Sequence, residues 1–156
     1  MSYCKGRQSG MTLLELLIGL GIVAILAAIA APSFQSFSSN QQVRSANETL
    51  LSALSLARSQ AVTRNSPVVV RALPVGDPNA DWVNGWEISS GGDTLRVQER
   101  LNGVTIASGV SEITFNRDGR AGVAAFSVEA ASAAGTEARC IGVGLSGAAT
   151  SRKGAC

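Results

Sequence analysis

The chain is 156 residues long, carries 13 lysine and arginine side chains against 11 aspartate and glutamate side chains, and contains no histidine. This length fits one domain together with a short accessory segment. The absence of histidine excludes serine–histidine and cysteine–histidine nucleophile pairs and imidazole-based metal sites. Since no convergent carboxylate motif is present either, the sequence predicts a protein that is not an enzyme, with no catalytic residues, no metal site and no cofactor.

The first 32 residues combine a short basic leader with a long apolar run. Lys5 and Arg7 precede Gly10, and the run from Met11 to Pro32 that follows contains a single charge, Glu15. About 20 apolar residues can span a bilayer of ~30 Å, and the basic leader would keep the N-terminus in the cytoplasm. A carboxylate in hydrocarbon costs about 2.5–3.5 kcal/mol and needs a partner. Cleavage after Gly10 would create that partner, because it leaves a new α-amine at Met11.

This junction resembles the cleavage site of type IV prepilins and pseudopilins. The resemblance implies that a prepilin peptidase cuts after Gly10, that the new N-terminus at Met11 is methylated, and that Glu15 guides the subunit into a filament. Pro32 falls where the helix of pilins is commonly kinked. The chain departs from the family pattern at Met11, where phenylalanine is the usual residue.

The pattern predicts three segments and has two simpler alternatives. The segments are a cleaved leader (1–10), a transmembrane and filament-core helix (11–32) and a periplasmic globular domain (33–156). A secretory signal would use Ala28-Ile29-Ala30 as its cleavage site, and a plain membrane anchor would explain the length of the apolar run. Neither alternative accounts for the glycine and the glutamate of the junction.

Removal of the leader would change both the charge and the cysteine count. It would take away Cys4, Lys5 and Arg7 and leave eleven basic against eleven acidic side chains. A near-neutral protein has no global attraction to polyanions. The remaining pair, Cys140 and Cys156, would face an oxidising compartment and is predicted to form a disulfide, with two free thiols as the alternative.

After Pro32 the sequence keeps a helical periodicity as far as Asn65-Ser66-Pro67, where the proline disfavours helical backbone in the residue before it. Apolar residues at three- and four-residue spacing form one stripe. The stripe consists of Val43, Ala46, Leu50, Leu54, Ala57 and Ala61. A helix from Met11 to Arg64 would be ~80 Å long. We therefore expect its N-terminal half to lie outside the domain, in a membrane or in a bundle of like helices.

The remainder of the chain predicts short strands, because apolar residues alternate with period two. The segments are marked by Val68–Val70, Trp86 and Ile88, Leu95 and Val97, Val104 and Ile106, Ile113 and Phe115, Phe126 and Val128, and Ile141, Val143 and Leu145. Gly91-Gly92-Asp93 and Asp118-Gly119 are turn signals between them. A long amphipathic helix followed by antiparallel strands predicts an α+β fold in which a sheet packs on the apolar stripe.

Three further patches resemble the GspH/FimT/FimU branch of pilin-like proteins. They are a helix-end segment (54–61), the strand entry Trp82-Val83-Asn84-Gly85-Trp86 and a hairpin (115–120). The resemblance implies the pilin fold, in which a long N-terminal α-helix packs against an antiparallel β-sheet domain. It also implies a minor type IV pilin, a structural subunit for pilus initiation and assembly. The implied partners are prepilin peptidase, other minor pilins, the major pilin and the inner membrane.

The same features fit two other functions. A minor pseudopilin of a type II secretion system would share all of them, with other pseudopilins as partners. A DNA-binding minor pilin in natural transformation would use a C-terminal Gly-Arg-x-Arg motif, but here Ala148 stands at the first arginine position. Arg139, Arg152 and Lys153 remain as candidate DNA contacts, because phosphate neutralisation dominates such binding. A solvated basic tail is the alternative.

Two other motifs predict loops. Residues 142–147 match G-x-G-x-x-G, but a dinucleotide site needs a following helix and an acidic residue, so a glycine-rich strand or turn is expected. Asp77, Asn79 and Asp81 alternate like the start of a calcium loop. Trp82 and Ile88, however, stand where an EF-hand needs glycine and glutamate, so a polar loop is expected there.

Overall fold

The computed structural model describes residues 12–131 and 137–156, apart from the side chains of residues 29–33. The chain divides into two compact units, one ending at Gln35 and one spanning Ser36–Cys156. In chain order, the elements of the described residues are α1 (Leu13–Arg64), β1 (Val68–Leu73), β2 (Asp81–Ser90), β3 (Asp93–Gln98), β4 (Val104–Ser108), β5 (Glu112–Phe115), β6 (Ala124–Ala130), β7 (Arg139–Val143) and β8 (Ala149–Lys153). This order confirms the predicted α+β class.

The part of α1 that belongs to the second unit packs through one apolar face. All six residues of the predicted stripe are buried, and none exposes more than 3% of its surface. The polar Asn47 is buried on the same part of the helix, where its Oδ1 accepts a hydrogen bond from Ser151 Oγ at 2.9 Å. The stripe is therefore the helix side of the core, as predicted.

The helix ends where the sequence predicts it, and the geometry of its end is a Schellman motif. Asn65 follows the last helical residue with a φ of 51°. Its amide donates to Val62 O, and the amide of Ser66 donates to Ala61 O, both at 3.3 Å. These two bonds satisfy carbonyls that would otherwise lack partners at the helix end. Pro67 then directs the chain into β1.

The strands form two antiparallel sheets of four strands each, where the sequence predicted one sheet on the helix. The first sheet has the order β3-β2-β1-β5 and the second the order β4-β6-β7-β8. The division arises because the chain leaves the first sheet after β3. β4 pairs with β6, whereas β5 returns to pair with β1. A hydrogen bond of 2.9 Å from Leu101 N to Val83 O holds the crossing segment against β2.

Buried side chains from both sheets meet the helix stripe in one core. They include Val68, Val70, Trp86, Ile88, Ile113 and Phe115 from the first sheet, and Val104, Ile106, Phe126, Val128, Ile141 and Val143 from the second. Trp82 of β2 joins the two sheets, because its ring meets Phe126 of β6 edge-on with 4.9 Å between the centroids. Its indole Nε1 also donates a hydrogen bond to Val110 O at 2.7 Å.

Gly85 allows β2 and the end of β3 to approach each other closely. It has a φ of 103°, in the region that favours glycine, and a Cβ built on it would collide with the carbonyl oxygen of Gln98. Trp82 and Trp86 on either side are both buried. The glycine of the Trp-x-x-Gly-Trp patch is therefore required by the packing of the backbone.

Replacing Gly85 with alanine should lower the free energy of unfolding by about 3 kcal/mol, because backbone strain and a backbone collision act together. Gly91→Ala is the matched control. Gly91 also has a positive φ, of 61°, but a Cβ there meets nothing within 4 Å, so only the conformational cost of about 1–2 kcal/mol applies. Urea unfolding of the full chain in detergent, followed by tryptophan fluorescence, would measure both. Equal losses would contradict the collision.

The C-terminal strands differ from the prediction in two ways. Leu145 was expected to continue β7, but it lies in the turn after it and is 61% exposed. The glycine-rich motif forms this turn, as expected, since Gly147 N donates to Gly144 O at 2.8 Å. The second difference is β8, which pairs with β7 and was not predicted because it has no alternating apolar residues.

Candidate functional site

The predicted cleavage site lies just before the described residues. Gly10 and Met11 are outside them, so cleavage after Gly10 and methylation at Met11 stay predictions. The described chain begins at Thr12, and α1 begins at Leu13. Glu15 is in the first turn of the helix and is exposed. A carboxylate in the first turn is favoured there by the helix dipole.

Thr12 caps the helix that carries Glu15. Its Oγ1 accepts a hydrogen bond from the backbone amide of Glu15 at 3.2 Å, and its carbonyl oxygen accepts one from Leu16 N at 3.2 Å. Thr12 and Glu15 stand at the spacing of a capping box, in which a threonine precedes a glutamate by three residues. This role of Thr12 was not predicted, although the Thr-x-x-Glu pattern of a capping box is present in the sequence. The cap fixes the helix start and so fixes the position from which Glu15 projects.

Apart from Glu15, the first four turns of α1 are apolar all round and exposed. Its exposed large side chains are Leu13, Leu14, Leu16, Leu17, Ile18, Leu20, Ile22, Val23, Ile25 and Leu26, each with at least 55% of its surface accessible. A helix of this composition is stable only when another apolar phase or other helices cover it.

In the part of the chain that the structure describes, no helix qualifies by length and apolarity as a membrane span. The assignment of residues 11–32 as a transmembrane segment therefore stays a prediction.

At the other end of the chain, Cys140 and Cys156 form the predicted disulfide. Their sulfurs are 2.15 Å apart, and Cys140 is buried with 4% of its surface exposed. Because Cys140 lies in β7, the bridge closes a loop that contains the whole of β8. The disulfide therefore holds in place a strand that contributes little apolar surface to the core.

Replacing Cys140 and Cys156 together with serine should lower the free energy of unfolding by about 3 kcal/mol, because a loop closed over 16 residues loses its constraint in the unfolded state. Urea unfolding of the non-reduced protein would measure the loss, and reduction of the parent should reproduce it. Cys4→Ser is the control, since Cys4 belongs to the predicted leader. A double variant within about 0.5 kcal/mol of the parent would contradict this role.

The three candidate DNA contacts do not lie on one face of the second sheet. Arg139 in β7 pairs directly with Lys153 in β8, so their side chains share a face. Arg152 is the neighbour of Lys153 along the strand and therefore lies on the opposite face. Lys153 Nζ is also 3.3 Å from Glu137 Oε1. DNA binding by this set stays a prediction that its geometry does not favour.

Asp77 and Asn79 lie in the loop before β2, and Asp81 is the first residue of that strand. Asp77 Oδ1 accepts hydrogen bonds from the backbone amide of Asn79 at 2.7 Å and from its side-chain amide at 3.1 Å. Asp81 Oδ1 accepts one from Val83 N at 3.0 Å. Across the described residues, no group of three or more acidic, cysteine or histidine side chains could hold a metal ion. The polar loop expected between Leu73 and Trp86 is shorter than predicted, because β2 begins at Asp81.

The helix-end patch and the 115–120 patch meet at Gly119. Arg58 Nε donates a hydrogen bond to Gly119 O at 3.2 Å. Gly147 lies against the same carbonyl, since a Cβ on Gly147 would collide with Gly119 O. Both glycines have a positive φ, 77° at Gly119 and 72° at Gly147. Arg58 therefore ties α1 to the turns that precede β6 and β8, which gives these patches a structural role.

Comparison with protein families gives two matches. The model of the type II transport protein GspH matches residues 46–147, about two thirds of the chain. The model of the prokaryotic N-terminal methylation motif matches residues 5–31, which include the predicted junction and Glu15. The first match covers the packed domain and the second covers the apolar helix.

Known proteins with similar sequences or folds are pilins and pseudopilins. A fimbrial protein of Pseudomonas aeruginosa is 41% identical over 68 residues, which are 43% of each chain. The chain spans less than half the length of the curated relatives it matches. The minor pilin FimU of P. aeruginosa shares the fold with a TM-score of 0.63 and 23% identity, over 74% of this chain and 92% of FimU. The minor pseudopilin EpsH of Vibrio cholerae shares it with a TM-score of 0.53 and 13% identity, over 73% and 97% of the two chains.

Proposed function

The chain belongs to the GspH family and has the fold of minor pilins and pseudopilins, and we propose that it is a minor structural subunit of a type IV pilus. In this role a prepilin peptidase cleaves the chain after Gly10 and the new N-terminus at Met11 is methylated. The apolar helix first anchors the subunit in the inner membrane, with the domain in the periplasm. It then packs among the helices of other minor pilins and the major pilin.

The observation that carries the proposal is the first unit of the structure. Its helix exposes apolar side chains on every side and carries one carboxylate, Glu15, in a first turn that Thr12 caps. In a bundle of like helices the apolar surface is buried by neighbours. The Glu15 carboxylate then neutralises the amine at Met11 of an adjacent subunit, because a charge removed from water needs a partner.

A pseudopilus of a type II secretion system is the second candidate assembly. The match to the GspH model supports it, and so does the shared fold with EpsH. The larger TM-score for FimU supports the pilus instead. Both assemblies use the same helix and the same carboxylate.

Fractionation of cells that make the tagged chain distinguishes the two assemblies. We expect the mature chain to co-purify with surface pili after shearing and to disappear from that fraction when the major pilin is deleted. Deletion of the secretion pseudopilins is the matched control and should leave the amount unchanged. Recovery with secretion components alone would reject the pilus assignment.

A further inference from the structure

β8 is an edge strand whose free side is open. Two backbone hydrogen bonds mark the ends of the β7–β8 ladder, one from Gly144 N to Ala148 O and one from Gly154 N to Ala138 O. They identify which residue pairs of the hairpin are hydrogen bonded and which are not. Bonded pairs alternate with non-bonded pairs along an antiparallel ladder. The register then directs the backbone N–H and C=O groups of three residues away from β7. They are Ala149, Ser151 and Lys153.

Within residues 12–131 and 137–156, no hydrogen bond reaches these outward backbone groups. The last four residues of β8 are exposed, and the strand is at the end of its sheet. A row of free donors and acceptors on an edge strand is a template for pairing with another extended chain. β8 therefore has the backbone geometry to accept a fifth strand.

A groove at the start of β8 gives one end of an added strand room to lie. It has a volume of about 440 Å³ and lies between α1 and the start of β8. Its helix wall consists of Ser55, Arg58, Ser59, Val62 and Thr63. Apart from Arg58, which is bonded to Gly119 O, the wall is made of small side chains. The hydroxyl of Ser55 already donates to Leu51 O at 2.9 Å and needs no further polar partner. An extended chain can therefore enter the groove without leaving this hydroxyl unsatisfied.

Contacts within the chain already hold β8 in place without a partner. Ser151 is hydrogen bonded to Asn47 of the helix at 2.9 Å, and Lys153 contacts Glu137 at 3.3 Å. The disulfide fixes the segment that follows the strand. Because the strand is already ordered, a partner need not supply the free energy for ordering it.

The charge of this surface indicates the kind of partner. Arg58 lines the groove, and Arg152 and Lys153 project from opposite faces of β8. Lys153 is paired with Glu137, whereas Arg152 has no ion-pair partner among residues 12–131 and 137–156, and neither the groove lining nor β8 includes a carboxylate. We propose that β8 takes up, as an added strand, an extended acidic segment of another pilus subunit. The added segment continues the second sheet, and its acidic side chains lie on the same face of that sheet as Arg152. This inference rests on the proposed function, because it takes the partner to be a subunit of the same assembly.

Peptide binding to the full chain in detergent micelles tests whether β8 accepts an added acidic strand. The probe is the fluorescein-labelled peptide Thr-Val-Glu-Val-Thr-Val-Glu-Thr, and its matched control has lysine at both glutamate positions. By fluorescence anisotropy we expect the acidic peptide to bind at least about tenfold more tightly than the basic one. Failure of both peptides to bind would overturn the proposal, since a basic edge can also serve only to prevent strand pairing.

Two variants locate the binding. Ala149→Pro removes an outward backbone N–H and leaves the hydrogen bonds to β7 in place. It should lower the affinity for the acidic peptide about tenfold. Charge reversal at Arg152 and Lys153 to glutamate leaves the backbone intact and should make the basic peptide the tighter ligand. The same reversal at Arg96 and Arg100 is the control and should change little. Unchanged preference in the Arg152 and Lys153 variant would overturn the proposal whether or not the proline variant folds.

These results are independent of pilus incorporation. If the chain binds the acidic peptide at β8 but is absent from pili, the edge site is supported and the proposed pilus function is rejected. If the chain enters pili but does not bind the peptide, the pilus function is supported and the edge site is rejected.

Discussion

Replacing Glu15 with alanine should leave the chain cleaved and in the membrane fraction but remove it from sheared pili. The cap at Thr12 uses the backbone amide of residue 15, so alanine preserves that hydrogen bond and the start of the helix. The change therefore removes the carboxylate alone, and with it the partner for the amine at Met11 of the adjacent subunit. Immunoblots of sheared pili and of whole cells, normalised to each other, measure incorporation and processing together.

Two control variants separate the carboxylate from the helix. Glu48→Ala removes an exposed glutamate from the second unit of the chain and should leave incorporation normal. Thr12→Ala removes the cap at a cost of about 1 kcal/mol but keeps the carboxylate, so incorporation should fall only slightly. Recovery of the Glu15→Ala variant in pili at the parental level would contradict the role assigned to Glu15.

Replacing Trp82 with alanine should lower the free energy of unfolding by about 3–5 kcal/mol, the range for deleting a buried aromatic ring. Trp82 exposes only 3% of its surface and contacts both Phe126 of the second sheet and Trp86 of its own. The variant loses these contacts and leaves Val110 O without its hydrogen-bond donor. Urea unfolding followed by the fluorescence of Trp86 measures the change.

Trp82→Phe tests the ring and the hydrogen bond separately. Phenylalanine keeps an aromatic ring against Phe126 but cannot donate to Val110 O, so the expected loss is about 1–3 kcal/mol. An alanine variant that loses less than about 1 kcal/mol would show that Trp82 does not join the sheets energetically.

The helix and its core face were predictable from the sequence because their signals are local. The stripe from Val43 to Ala61 repeats every three or four residues, and every member is buried. The stop at Asn65-Ser66-Pro67 was equally clear, since proline restricts the residue before it. Seven of the described strands have alternating or continuous apolar residues, which is why they could be found without a structure. In six of them these residues face the core, whereas in β3 Val97 is exposed and Leu95 is only partly buried.

The division into two sheets and the existence of β8 could not be predicted in the same way. Strand pairing depends on which segments meet in space, and no local pattern indicates that β5 pairs with β1 while β4 pairs with β6. β8 is Ala-Thr-Ser-Arg-Lys, and it is held by its ladder to β7, by Asn47 and by the disulfide. Leu145 has the spacing of a strand residue, but the glycines around it form a turn.

The candidate site was predictable in part. Glu15 was identified by its charge in an apolar run, whereas the capping role of Thr12 was overlooked because the prediction concerned the charge alone. Arg139, Arg152 and Lys153 are close in sequence or across the hairpin, but strand alternation separates Arg152 from the other two. Side-chain direction requires the register of β7 and β8, which the sequence does not specify.

The turn between β2 and β3 offers a position for a visible label. Gly91 and Gly92 have φ values of 61° and 97°, and no atom lies within 4 Å of a Cβ at either one. A short epitope inserted between them would lengthen a solvent-facing loop, and doubling the length of such a loop costs only ~0.6 kcal/mol. The epitope would be remote in sequence from the apolar helix, Glu15 and β8. Immunogold particles bound there could reveal where along a filament the subunit resides.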